Sequence, residues 1–500
     1  MARKDYQKLF DTKHLHTDLK KRSLRSGAVT LTTQAISFVI HLGSTMILAR
    51  ILTPDDYGMM AMVVAITGLA GVLLNLGLST ATIQREEITH EQVSVLFWIN
   101  AGVGALLMLI VAGLSPVIAW FYNLEELAWV ALALSSTFLI NGLSVQHQAL
   151  LNRQMRFFTL AIIQVIAAIV GVSFAIVAAL HGLGYWALVL NTLAVSTFTS
   201  LATWYSTAWL PGSPQRGTNV GQMIRFGADI MWFNLVNYFS RNLDNILIGK
   251  FHGGVALGIY SKAYQLLMMP ITNLRDPLNK VATPALSRLQ NDSVLYRNYY
   301  MKFLNILALV SMPLIVFMFT CSEQIILIVL GEQWSDSGEI FKILALVALV
   351  QVVSSTRGTV LITTGKSRRY LILGSASAVI FSISFVLGLP WGAKGVAMSY
   401  MIATYLVFIP FMAISFRDTP VCVYDFFKSI YVPLIASLFM GILCHFFLVY
   451  NVGLGPLALV VSTSFIGFFS YIILLLTFGT KSQIIQVFDY FRLAFDKGKI

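Results

Sequence analysis

Long apolar segments recur along the whole chain, and they constrain its fold more than any other feature. Fourteen segments are long enough to cross a bilayer as one helix, which takes about 20 apolar residues. A backbone inside lipid must satisfy its own hydrogen bonds, so each segment is predicted to be an α-helix. Charged residues are only 11% of the chain, against roughly 25% in soluble proteins. The sequence therefore predicts an all-α polytopic membrane protein with about 14 transmembrane helices.

The loops between these segments are too short for a soluble catalytic or nucleotide-binding domain. The predicted spans run near 27–49, 57–83, 93–114, 127–150, 158–180, 184–206, 223–249, 258–281, 301–320, 340–363, 370–389, 392–414, 429–450 and 455–478. No zinc-ligand spacing, nucleophile elbow or complete phosphate-binding loop is present in the sequence. We therefore expect a protein that is not an enzyme and that holds no cofactor or metal ion.

Basic residues are concentrated on alternate loops. If the N-terminus is cytoplasmic, all but seven of the 34 lysines and arginines fall on cytoplasmic segments. The exceptions are Arg50, Lys250, Lys262, Lys342 and Lys394 near the outer side, and Arg241 and Arg357 within spans. The positive-inside rule then places both termini in the cytoplasm. This distribution accounts for the net charge of +12, so the sequence gives no reason to expect a nucleic-acid partner.

Two spans carry polar residues in matching register, 200 residues apart. Those on the first span are Gln34, Ser37, His41 and Ser44, and those on the seventh are Asn234, Asn237, Arg241 and Asp244. Each set advances by 3, 4 and 3 residues, so each follows one face of its helix. Arg50 matches Lys250 and Gly58 matches Gly258 at the same offset. A second match, at an offset of 213, relates 152–157 to 365–370.

The repeat predicts two lobes of six spans in the same orientation, related by an axis along the membrane normal. Parallel repeats of this kind form transporters whose substrate site lies between the repeats. The predicted segments are a basic amphipathic segment (1–26), an N-lobe (27–208), a linker (209–222), a C-lobe (223–414), two further spans (415–480) and an amphipathic cytoplasmic tail (481–500).

Charged residues within spans are the strongest candidates for a functional site. Each costs at least about 2.5–3.5 kcal/mol to insert, so it normally faces a cavity or a partner. Arg241 and Asp244 are one helical turn apart and can pair, either in a cavity or as a closed structural ion pair. The predicted cavity residues are Arg241, Asp244, Arg357, Asn234, Asn237, His41, Gln34, Arg50, Lys250 and Lys262, and the candidates for ion coupling are Asp244, Asp229 and His41.

The polar residues also have purely structural interpretations. The Ser, Thr and Asn side chains can form helix-to-helix hydrogen bonds. The long side chains of Arg50, Lys250 and Lys262 can extend to the outer interface instead of lining a cavity.

Several motifs resemble those of the bacterial polysaccharide transporters of the Wzx type. They are LARILTPDDYG (48–58), ATIQRE (81–86), FWIN (97–100), GLGYWALV (182–189), LDNILIGKF (243–251), LGIYSKAYQLLMMP (257–270) and TPALSRLQND (283–292). The resemblance covers nearly the whole chain and is closest to the colanic-acid and exopolysaccharide exporter branch. The superfamily also includes multidrug exporters and the peptidoglycan lipid flippase.

The resemblance implies a V-shaped pair of six-helix lobes followed by two C-terminal helices. It further implies flipping of undecaprenyl-diphosphate-linked oligosaccharide across the bacterial inner membrane by alternating access. The family's cationic central cavity maps onto Arg241 and Arg357, with Arg50 and Lys250 at the outer rim. Because no ATP site is present, we expect coupling to an ion gradient.

The expected partners are the lipid-linked oligosaccharide and the bilayer, with polysaccharide polymerase machinery as a further candidate, and we expect a monomer. The main alternative is a multidrug or cation antiporter of the same superfamily, which would need an acidic, aromatic cavity. A membrane polymerase or ligase would need a large outer loop, which this chain lacks. A scaffold without transport would leave the matched polar residues unexplained.

Overall fold

The computed structural model describes residues 10, 19–74, 78–85, 87–214, 221–451 and 453–478, and only the backbone of 19–31, 221–237, 239, 240 and 478. Regular structure in this part of the chain is entirely helical. The α-helices are α1 (Leu19–Ile51), α2 (Pro54–Leu74), α3 (Leu78–Gln84), α4 (His90–Tyr122), α5 (Glu126–Arg153), α6 (Phe157–Leu180), α7 (Trp186–Thr207), α8 (Gly221–Arg288), α9 (Ser293–Thr320), α10 (Ser322–Val329), α11 (Ser337–Ser354), α12 (Thr356–Thr363), α13 (Ser367–Gly388), α14 (Gly392–Phe416), α15 (Val423–Tyr450) and α16 (Pro456–Phe478).

The described helices include 11 segments that are long and apolar enough to cross a membrane. One of them, Ser367–Phe416, contains both α13 and α14, with a short 3-10 turn between them. Many large apolar side chains on these helices are exposed, as expected of surfaces that face lipid rather than water. The prediction of a multi-pass, all-helical membrane protein is therefore confirmed.

The chain divides into two compact units, Met1–Gly258 (unit 1) and Ile259–Ile500 (unit 2). In unit 1, α1 packs against α6, and α5 packs against both α4 and α7. A core around Phe97, Leu150 and Trp209 closes one end of these helices. In unit 2, α9 packs against α11 and α15, and α13 packs against α14. Its largest described core surrounds Tyr300, Met412 and Phe426.

Two helices meet at Gly253 within α8, where the sequence predicts two spans separated by a loop. The backbone of Gly253, with φ of 81° and ψ of −175°, departs from the helix and produces a kink. Glycine adopts this conformation because it has no Cβ. The two predicted helices are therefore present, and the connection between them is a single residue rather than the predicted loop between 249 and 258. The second arm also extends beyond the predicted end at 281, to Arg288.

Gly58 and Gly258, which are related by the 200-residue offset, each pack against the backbone four residues before the other. A Cβ on Gly58 would overlap the carbonyl oxygen of Gly254, and a Cβ on Gly258 would overlap that of Pro54. Pro54 and Gly254 are themselves related by 200 residues. The contact is therefore reciprocal, as across a local two-fold axis. Glycine is required at both positions because the backbones of α2 and α8 touch directly.

A second part of the repeat has an offset of 210 rather than the predicted 213. Residues with positive φ recur in three pairs, which are Met155 and Gly365 (52° and 73°), Gly182 and Gly392 (75° and 71°), and Ala208 and Asp418 (49° and 56°). The turn hydrogen bond from the N–H of Arg156 to the Leu151 carbonyl likewise recurs from Lys366 to Leu361. Backbone conformation thus fixes a register that side-chain identity misassigns by one helical turn.

Candidate functional site

The polar residues on α1 differ in exposure. Gln34 and Ser37 are half-buried, His41 is exposed and Ser44 is buried. Because α1 packs against α6 within unit 1, part of this helix face is covered by protein. The exposed imidazole of His41 is the member of the set that remains available to solvent or a ligand.

The corresponding part of α8 places Arg241 and Asp244 in different environments. Arg241 is exposed, whereas Asp244 is 7% exposed and accepts a hydrogen bond of 2.8 Å from the N–H of Asn245. The pairing of Arg241 with Asp244 stays a prediction. The side chains of Asp229, Asn234 and Asn237 lie outside the described residues.

Direct contacts hold the first arm of α8 against α2 and α4 in unit 1. The Tyr238 hydroxyl donates to the carbonyl of Val64 at 2.9 Å, at the level of Gly68. The Lys250 ammonium donates to the Phe121 carbonyl and lies 5.1 Å from the centre of the Phe121 ring. Lys250 is therefore anchored on the protein.

The two other predicted rim cations have different settings. Arg50 is exposed at the end of α1. Lys262, on the second arm of α8 in unit 2, is half-buried and donates to the Gln265 side chain at 2.9 Å.

Arg357 is a half-buried cation in unit 2, on the short helix α12. It donates to the Ser377 hydroxyl at 3.4 Å and stacks over the Phe411 ring, 5.2 Å from its centre. Among the described residues, no carboxylate lies within 4.0 Å of its guanidinium. Most of its five N–H donors are therefore available to an anionic ligand.

Several buried polar residues of unit 1 were not singled out by sequence analysis. Arg153, predicted to lie on a loop, is 5% exposed and donates to the carbonyls of Phe10, Thr82 and Arg85. Asn100 and Gln146 are also buried, and neither Asn100 side-chain atom has a partner among the described residues. Asn100 ends the FWIN motif, an amide within an apolar run, and this was a signal that could have indicated its burial.

The described site residues suit anion binding rather than covalent chemistry. Arg241, Arg357 and Lys250 are cations on helices, and the buried carboxylate nearest to them in sequence is Asp244. Guanidinium groups bind phosphate through two parallel hydrogen bonds, without forming a covalent intermediate. Arg241 and Lys250 belong to unit 1 and Arg357 to unit 2.

Comparison with known proteins gives a family match and several relatives. Residues 47–339, more than half of the chain, match a family described as polysaccharide biosynthesis protein. The chain is 28% identical to the teichuronic acid biosynthesis protein TuaB of Bacillus subtilis, with 84% of this chain and 88% of that protein aligned. It is 26% identical to the lipopolysaccharide biosynthesis protein WzxC of Escherichia coli, over 81% and 84% of the two chains.

Solved structures with the same fold include a lipid II flippase, MurJ, in an inward closed conformation. The TM-score is 0.73 at 14% identity, with 90% of this chain and 98% of that chain covered. An inward-facing multidrug resistance transporter of the MATE family has a TM-score of 0.58 at 13% identity, over 78% and 98%. At these identities the likeness concerns the fold alone. The sequence match over residues 47–339 identifies the family: this chain belongs to the polysaccharide biosynthesis protein family of multi-pass membrane proteins.

Proposed function

We propose that this chain flips undecaprenyl-diphosphate-linked oligosaccharide across the bacterial inner membrane by alternating access. The observation that carries the proposal is Arg357, a half-buried cation with no carboxylate within 4.0 Å among the described residues. A diphosphate supplies the missing charge, and arginine binds it through paired hydrogen bonds. The relative named succinoglycan biosynthesis transport protein ExoT, of Rhizobium meliloti, supports transport over synthesis.

The proposed architecture has fourteen spans. Eleven candidate segments include one that contains both α13 and α14, and the two arms of α8 contribute two more spans. We propose two six-helix lobes (27–208 and 223–414) in a V-shaped arrangement, joined by 209–222 and followed by two further spans (415–480). Both termini are proposed to be cytoplasmic, because this orientation places most basic residues inside.

The substrate explains why cations are needed within spans. The sugar diphosphate is polar and requires a hydrated, charged environment, whereas the polyprenyl chain stays in lipid. Arg241 and Arg357 would bind the diphosphate, and His41 and Gln34 would contact the polar head. Asn234 and Asn237 would contribute on the same stripe of α8, with Arg50, Lys250 and Lys262 toward the outer side.

We further propose that Asp244 takes part in ion coupling. It is 7% exposed, and a buried carboxylate is a natural binder of a proton or sodium ion. Asp229 and His41 are the alternative coupling groups. The Asp244→Asn variant should bind substrate but lose its response to an imposed pH or sodium gradient in vesicles. An unchanged response would exclude Asp244 and leave Asp229 to be tested.

The flipping proposal is tested by reconstituting purified protein with a lipid-linked oligosaccharide. We expect Arg357→Ala to reduce the flipping rate by about ten-fold or more, and Arg357→Lys to recover part of it, because lysine keeps the charge but not the paired geometry. Arg288→Ala, which removes an exposed cation at the end of α8, is the matched control. Arg241→Ala should likewise abolish polymer export in cells while the protein still inserts.

Other outcomes would identify a different function. Wild-type protein that moves cationic dyes but not the lipid-linked oligosaccharide would be a multidrug antiporter. Protein that lengthens the glycan would be a polymerase. Normal flipping by Arg357→Ala at normal expression would overturn the role of Arg357.

A further inference from the structure

A groove of about 640 Å³ runs between α13 and α14 in unit 2, separate from the cations discussed above. Its mouth carries three basic residues at the start of α13, namely Lys366, Arg368 and Arg369. Its walls are apolar and include Leu373, which is buried, and Ile414, which is exposed. Cations at one end and apolar walls below match the two parts of an anionic lipid.

Two of the three cations are available to a ligand. The Arg369 guanidinium already donates to the Arg417 carbonyl and to the Asp418 carboxylate at 3.1 Å. The side chains of Lys366 and Arg368 form no hydrogen bond or salt bridge with any residue that the structure describes. Asp418 lies near enough to Arg369 and Lys366 for both to lower its pKa, so its carboxylate offsets one of the three charges. The remaining positive charge suits a diphosphate better than a singly charged phosphodiester.

The groove shares one side chain with the surroundings of Arg357. The Phe411 ring lines the groove, and the same ring lies under the Arg357 guanidinium, at 5.2 Å. Arg357 additionally bonds to Ser377, one residue beyond Ala376 of the groove wall. A lipid diphosphate at the mouth would therefore have a second cation further along the same surface.

The hairpin α6–α7 is the counterpart of α13–α14 under the 210-residue offset, and Trp204 of α7 corresponds to Ile414 of α14. Trp204 packs on His147 of α5 with a centroid distance of 4.3 Å and donates to the Leu143 carbonyl of α5 at 2.8 Å. Unit 2 has a smaller, exposed side chain at this position, and it has Arg357 in place of His147. The two copies of the repeat therefore differ in the side chains beside this hairpin.

We propose that the α13–α14 groove is a binding site for the diphosphate of a polyprenyl carrier lipid, with Lys366 and Arg368 on the headgroup and the first isoprene units against the apolar walls. The site would take up the lipid before it reaches Arg357. This inference rests on the proposed function, since it assigns a second position to the same substrate.

The test measures the dissociation constant of undecaprenyl diphosphate for the full-length protein in detergent. Lys366→Ala/Arg368→Ala should weaken binding about ten-fold or more, because charge-assisted phosphate contacts are lost. The matched control, Lys280→Ala/Arg288→Ala, removes two exposed cations from the end of α8 in the same unit and should change it less than about two-fold.

A second variant tests the groove without changing charge. Ile414→Trp places a large ring on the groove wall, and it should weaken binding about ten-fold by excluding the lipid chain. Ile409→Trp adds the same ring on an exposed face of α14 outside the groove, and binding should remain unchanged. Inorganic diphosphate and phosphatidylglycerol are measured in parallel as competitors.

Each outcome decides the matter. Loss of binding in both test variants, with intact controls and weak competition, supports the site. Equal binding by wild type and Ile414→Trp overturns it, and so does equally strong competition by phosphatidylglycerol, which would indicate a resident phospholipid. Unchanged binding in all variants, with normal flipping, overturns this site and leaves the proposed function standing. Wild-type protein that does not bind undecaprenyl diphosphate overturns both.

Discussion

The hairpins α6–α7 and α13–α14 have corresponding backbone turns but differ in the side chains beside them. In unit 1, His147 of α5 bonds to Thr207 at 2.8 Å and is stacked by Trp204, and α7 ends beside the buried core around Phe97 and Trp209. In unit 2, the position equivalent to His147 is Arg357, which lies over the Phe411 ring of the groove. A repeated backbone thus carries an aromatic cluster in one copy and a cation beside a groove in the other.

The loops that begin these hairpins place their cations differently. In unit 1, Arg156 donates to the Ser206 carbonyl near the end of α7, at 3.0 Å. In unit 2, Arg369 donates to the Arg417 carbonyl, one residue beyond the counterpart of Ser206, while Lys366 holds the position equivalent to Arg156. The structural cation of unit 2 thus lies about one turn further along the chain, which leaves Lys366 at the mouth of the groove.

The largest effect should come from removing the buried cation of unit 1. Arg153→Met would leave the carbonyls of Phe10, Thr82 and Arg85 without this side-chain donor, at about 1 kcal/mol each, and so reduce the free energy of unfolding by about 3 kcal/mol. Arg368→Met, at an exposed site in unit 2, should change it by less than about 0.5 kcal/mol. Thermal unfolding in detergent measures both. Equal effects of the two substitutions would show that the contacts of Arg153 do not stabilise unit 1.

Exchanging the side chains of Trp204 and its counterpart Ile414 should have the next largest effect. Trp204→Ile removes the ring that packs on His147 and its hydrogen bond to Leu143, and should destabilise the protein by about 2 kcal/mol. The reverse exchange, Ile414→Trp, fills an existing groove and should stay within about 1 kcal/mol of wild type. Strong destabilisation by Ile414→Trp would mean that the groove cannot accept the ring.

The two loop contacts should be worth similar amounts. Arg156→Ala and Arg369→Ala each remove donors to a helix-end carbonyl, and each should cost about 1 kcal/mol. Differential scanning fluorimetry of the two variants, with Arg288→Ala as a control, measures this. A cost confined to one unit would contradict the proposal that the two arginines do the same structural work.

The smallest effect concerns pH. The hydrogen bond from Arg369 holds the pKa of the Asp418 carboxyl below its ordinary value of 3.8. A depressed carboxyl pKa means that the contact stabilises the loop at neutral pH and is lost as the pH falls through the lowered value. Amide exchange of 418–422, corrected for intrinsic rates, should stay constant down to about pH 5 and rise only in stronger acid. An identical response in Asp418→Asn would assign the titration to another group.

Sequence periodicity was sufficient for the helices but not for their interruptions. Apolar length locates α4, α9 and α15, because lipid enforces the same backbone solution in each. It does not show that the two helices of α8 meet at a single residue, Gly253. Local composition in 250–257 looks like a loop, whereas the residues on both sides of Gly253 are helical.

The candidate site was predictable only in part. Arg357 is found from the cost of placing a charge in a span, which needs no knowledge of its neighbours. Pairing of Arg241 with Asp244 depends on side-chain direction, which helical spacing does not determine. The burial of Arg153, on a predicted loop, is not evident from the sequence, because the carbonyls that bind it come from Phe10, Thr82 and Arg85, all distant in sequence.

The crossing of Gly58 and Gly258 has a consequence for how a duplicated chain diverges. Each copy packs on the counterpart of its own segment, so neither position has a neighbour that changes independently. Before the copies differed, any larger residue here would have entered the contact twice and from both sides. After they differed, a change in one copy is still opposed by the other. Each copy therefore limits the size of the side chain that the other can carry at this point, even though the two copies differ in the side chains elsewhere.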